Sequence, residues 1–146
     1  MSNLDSDTLN DIELARKTIN SSENSFVVVQ YNKIWREKKE SNLNIFFEAI
    51  DEMKEDLNGS VIGINFLDRA SAFLCRYAKV AGVYAPRASK TGIALLIMAG
   101  IPSEVDELVH DVDENVDKNL FYDKLLVDVS SDEEAYKILN KARKKS

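Results

Sequence analysis

Residues 83–102 read VYAPRASKTGIALLIMAGIP. Residues 83–85 form a short apolar strand, and Pro86 marks a turn. Ser89 is of the type that caps a helix start, and the IALLIMAGI that follows is apolar nearly all round, which predicts a buried helix over 90–101. Pro102 stops it. A strand running into a buried helix is a building unit of α/β domains. Between the two lies a polar knot of Arg87, Ser89, Lys90 and Thr91. Its two cations stand where the helix start already carries partial positive charge.

Working backwards, Asp68 opens a helix whose inner face is Ala70, Phe73, Leu74, Tyr77, Ala78 and Ala81, with Gly82 as its stop. VIGINF (61–66) is a strand or extended lead-in. Ser41-Asn42 caps a helix carrying Leu43, Phe46, Phe47, Ile50 and Met53, closed by Asn58-Gly59. FVVVQ (26–30), Tyr31-Asn32-Lys33 and KIWREK read as a β-hairpin with a more exposed second strand. Leu9, Ile12, Ala15 and Ile19 space a first helix over about 5–20. Working forwards, VDELV is a candidate strand, and the acid-rich 104–117 reads as a solvated loop. NLFYDKLLVDV (119–129) is a further candidate strand. Ser131 and Glu134 form a capping box opening a last helix to about 144. This order predicts an α/β domain, a three-layer α-β-α sandwich with a mixed sheet, over 1–146.

Composition narrows the partners. With 146 residues and 45% apolar content the chain can bury one core without staples. A net charge of −6 argues against duplex nucleic acid, which needs a basic surface. No apolar run is long enough to span a membrane, and the acidic N-terminus lacks the apolar core of a signal peptide. The one cysteine, Cys75, fits a reducing, cytoplasmic setting.

Three segments, FVVVQYNKIW, DRASAFLCRYAKVAGVYA and SKTGIALLIMAGIPSEVDELV, resemble the DUF1893 family over roughly 10–112. The tail from Asp113 lies outside that likeness. The resemblance implies a cytidine-deaminase-like fold and no assigned activity. Zinc deaminases place H-x-E and P-C-x-x-C motifs at two helix starts. The corresponding positions here read LDRAS and PRASK, with no His, Glu or Cys. A catalytic zinc needs about three protein ligands, so neither metal nor cofactor is expected.

What remains is two amide-rich helix starts carrying Arg69, Arg87 and Lys90, with Ser71 and Thr91 adding hydroxyls. One reading is an anion site, in which Asp68, Arg69, Ser71, Arg87, Ser89, Lys90 and Thr91 hold a nucleotide or other phosphorylated small molecule. The other is structural: Asp68 and Ser89 cap their own helices, and the cations reach solvent or neighbouring carboxylates. Asp68 as an acid/base is a third reading, and a homo-oligomer built on the helix at 90–101 and the hairpin edge is a fourth. Elsewhere, Asp111, Asp113, Asn115 and Asp117 space oxygens like a calcium loop, but Val116 and Tyr122 stand at its glycine and glutamate positions. Cys75 reads as a core residue with Arg76 beside it, His110 as a surface residue, and Trp35 as packing on a neighbouring helix. The basic KARKKS end complements a helix C-terminus.

Overall fold

The computed structural model describes residues 6–21, 23–40, 42–109 and 120–144. His110 and most of the acidic 111–122 stretch lie outside these. In chain order the elements are α1 (Ser6–Ser21), β1 (Phe26–Gln30), β2 (Lys33–Lys38), α2 (Leu43–Met53), a 3-10 turn (Lys54–Leu57), β3 (Val61–Ile64) and β4 (Phe66–Leu67). They continue with α3 (Arg69–Tyr77), β5 (Gly82–Ser89), α4 (Lys90–Met98), β6 (Ser103–Val109), α5 (Leu120–Leu125) and α6 (Asp132–Lys144).

The sheet is mixed. β1 is antiparallel to β2 and β3, while β3, β4 and β6 run parallel to β5. β3 and β4 share one flank of β5, and β6 takes the other, so β2 and β6 are the edges among the described residues. One face packs α1, through Ile12, Ala15 and Ile19 against Val27, Val29, Val61 and Tyr84. That approach is tight: a Cβ at Gly63 would lie 3.1 Å from Ile19 Cγ1 of α1, and one at Gly82 would lie 2.9 Å from Ile12 Cδ1. The other face carries the larger core, where Phe26, Val28, Ile62 and Val83 meet Phe46 and Phe47 of α2, Phe73 of α3 and Leu139 of α6. This is the three-layer α/β arrangement, and each helix buries one apolar stripe.

Several elements depart from the expectations. Pro86 makes no turn, because β5 runs through it to Ser89. Pairing skips Pro86 on both flanks, so its missing N–H falls where the ladder is already interrupted between β3 and β4. VDELV is a strand as expected, within β6, so the loop reading of 104–117 does not hold over 104–109, and 120–125 are helix rather than strand. Asp123 and Leu126 are the buried positions there, at helical spacing. Leu9 is exposed rather than part of α1's buried stripe. The buried helix expected over 90–101 is the nine-residue α4, in which only Gly92 and Leu96 are buried, while Ile97 is 67% and Met98 76% exposed. It ends before Pro102, because left-handed Gly100 (φ 72°) lets Ile101 N–H reach Leu96 O at 2.9 Å. Similarly α3 stops at Tyr77, with Lys79 (φ 57°) taking the left-handed position and Val80 N–H reaching Cys75 O.

Candidate functional site

The starts of α3 and α4 are in contact. Gly92, in α4's first turn, sits so near the preceding segment that a Cβ there would lie 2.8 Å from Leu67 O and 3.1 Å from Asp68 O. Only glycine permits that approach without displacing backbone. Ser89 caps α4, its hydroxyl accepting from Gly92 N–H at 3.0 Å. Asp68 caps α3: its carboxylate accepts from Ser71 N–H at 2.8 Å and from the Ser71 hydroxyl at 2.7 Å. The Asp68 N–H in turn donates to Ser71 Oγ at 3.0 Å, completing a reciprocal box. Asp68 is wholly buried. An acid/base role would need its carboxylate to reach a substrate, and here the side chain is committed to the helix it caps.

The next two amides of α3 hold a carboxylate from far along the chain. Ala70 N–H donates to Asp123 Oδ1 at 2.8 Å, and Arg69 N–H to Asp123 Oδ2 at 3.2 Å. The Arg69 guanidinium adds a longer bond to the Asp123 carbonyl at 3.4 Å. Asp123 is 7% exposed. An anion is therefore seated on a helix start and beside a cation, where the partial charge of the amides favours it. The sequence pattern did not single out Asp123. Its only local mark was a lone acid inside the apolar run LFYDKLLV, and the partner amides lie over 50 positions earlier.

The remaining candidates divide. Arg87 lies in β5, half exposed, and its Nε approaches Glu107 Oε1 of β6 at 3.3 Å. Lys90 opens α4 and points to solvent; Thr91 is half-buried beside it. So Asp68, Arg69 and Ser71 sit together on α3 and Ser89, Lys90 and Thr91 on α4, joined at Gly92, with Arg87 paired to the sheet edge. Cys75 is buried, and desolvation, then the Asp68 charge, pushes its thiol well above the ordinary range. Arg76 does not activate it: the guanidinium pairs with Asp132 at 2.8 Å and donates to Leu95 O at 3.2 Å, tying α3 to α6 and α4. Neither helix start offers a His or Cys, and among the described residues no group of three His, Cys, Asp or Glu can hold a metal. These donors do not fit a catalytic zinc.

An open mixed sheet between one helix and a helical layer, with two capped helix starts in contact, defines an α/β domain. The chain belongs to the DUF1893 family, a domain of unknown function, whose model matches residues 14–142. That match runs through the tail from Asp113, which the sequence resemblance did not reach. Among solved structures, a DUF1893 family protein from Thermotoga maritima is similar at 19% identity, covering 96% of this chain and 92% of that one, with a TM-score of 0.79. RibD from Acinetobacter baumannii is more distantly similar, at 17% identity over 77% of this chain and 37% of that one, with a TM-score of 0.48. A second form of that RibD gives 18% identity and a TM-score of 0.46. No curated protein sequence matches the chain. No helix of the described residues is long and apolar enough to cross a membrane.

Proposed function

We propose that this is a metal-free deaminase-like domain that binds a nucleotide or other phosphorylated small molecule where α3 and α4 begin. One observation carries the reading: the α3 start already holds an anion, the Asp123 carboxylate, on two successive amides beside Arg69. A ligand phosphate has the same acceptors and more charge, and displaces Asp123 from those amides. Lys90, exposed at the α4 start, supplies a second cation to the same junction. The test is thermal melting of the wild type and Asp123→Ala with inorganic phosphate, a nucleoside diphosphate and ADP-ribose. The variant is expected to melt lower alone and to gain more from ligand than the wild type. If every ligand at millimolar concentration leaves both proteins unmoved, the reading is wrong.

A second reading, a homo-oligomer, is favoured by α4, whose outer face leaves Ile97 and Met98 in water. Analytical ultracentrifugation decides it: a monomer at every concentration removes this reading, and an oligomer dissolved by Ile97→Lys supports it.

A further inference from the structure

The groove between the hairpin and the end of α2 is built from residues that suit a cation. Tyr31 and Asn32 form the two-residue turn joining β1 to β2, both left-handed, with φ of 55° and 59°. Asparagine accepts that backbone readily and tyrosine does not. The turn is held by buried Asp11, whose carboxylate accepts from Tyr31 N–H at 3.2 Å and Asn32 N–H at 2.7 Å. Its consequence is a tyrosine side chain 71% exposed. Four residues on, the pairing register slips between Val28 and Val29, so Trp35 is the extra residue of a bulge. Its indole N–H donates to Gln30 O at 2.9 Å, which fixes the ring, yet Trp35 is 57% exposed rather than packed on a helix as its sequence context suggested.

Both rings line a cavity of about 500 Å³ with Glu52, Met53, Glu55 and Asp56 from the end of α2 and the 3-10 turn. Arg36 lines it too and is paired with Glu52, whose carboxyl it holds below the ordinary range. Glu55 and Asp56 form no ion pair among the described residues, so the groove keeps two uncompensated negative charges beside two aromatic rings. Phosphates and carboxylates are repelled there. A neutral apolar ligand gains nothing from the acids. A cation gains from both the ring faces and the carboxylates.

We propose that this groove binds an aliphatic ammonium ion, with the alkyl stem along Trp35 and Met53 and the ammonium between the rings and the Glu55 and Asp56 carboxylates. A free polyamine and a lysine side chain of a peptide share that chemistry. The protein supplies its own probe, since Trp35 is the only tryptophan. The experiment titrates the full chain with spermidine, and separately with a lysine-rich peptide, while following tryptophan emission at matched ionic strength. A saturable shift with spermidine is expected, weakened about tenfold in Glu55→Gln/Asp56→Asn and less in Tyr31→Asn. Saturation by the peptide alone supports the groove and makes the partner a protein. No saturable change with either ligand overturns the proposal. So does binding that the double variant leaves intact, or a change that magnesium ion reproduces. Both acids are exposed, so the double variant should fold; circular dichroism and calorimetric titration confirm that a lost signal is lost binding.

Discussion

The α3 start and the hairpin groove are both places where the chain departs from local preference, and they resolve it in opposite ways. At α3 a cation stands on a helix start, and the chain supplies the counter-charge itself through Asp123. In the groove a tyrosine takes a left-handed backbone and a tryptophan stays in water, and no described residue compensates Glu55 and Asp56. A departure satisfied from within contributes to stability and stands in for a ligand. One left unsatisfied costs stability and waits for a ligand. Substitutions at the first region should therefore destabilise, while the right substitution at the second should stabilise and weaken binding.

The largest expected effect is at Asp123. Asp123→Ala leaves two α3 amides without their carboxylate and should cost about 3 kcal/mol in denaturant unfolding. Asp123→Asn keeps one acceptor oxygen and should lose about half as much. A loss below about 0.5 kcal/mol in the alanine variant would place the α3–α5 contact among ordinary surface interactions and erase the contrast. Next comes Gly92→Ala, which drives a methyl into Leu67 O and Asp68 O. A cost of about 1–3 kcal/mol is expected, with the two helix starts pushed apart. The smallest effect has the opposite sign. Tyr31→Asn removes a bulky side chain from a left-handed position and should raise stability by about 0.5 kcal/mol. If it destabilises instead, the ring is a packing element and the groove loses its tyrosine wall.

Most of the layer order was legible in the sequence because its cues are local. FVVVQ and KIWREK announced the hairpin, Asn42, Asp68 and Ser89 announced three caps, and Ser131 announced the last helix. Pro86 misled because a proline is tolerated in a strand where the ladder is already broken, and that break belongs to the neighbouring strands. The α4 helix misled because apolarity all round states what a helix can bury, while its peripheral position leaves only Gly92 and Leu96 fully buried. At the site, the sequence identified the crowded cations at the helix starts but not their internal counter-ion. That pairing is set by tertiary folding of 120–126, a short, mostly apolar stretch that suits strand and helix alike. The outward aromatic pair was equally hidden, since neither a left-handed turn nor a bulge is written in residue type alone.

The central claim is that the first-turn amides of α3 are an anion seat occupied by Asp123. Hydrogen exchange of the Arg69 and Ala70 amides tests it most directly, in the wild type and in Asp123→Ala with and without inorganic phosphate. The expected result is protection in the wild type, at least about tenfold faster exchange in the variant relative to the rest of α3, and protection regained with phosphate. Amides that exchange alike in both proteins, or that stay unprotected in the variant whatever the phosphate concentration, would contradict it.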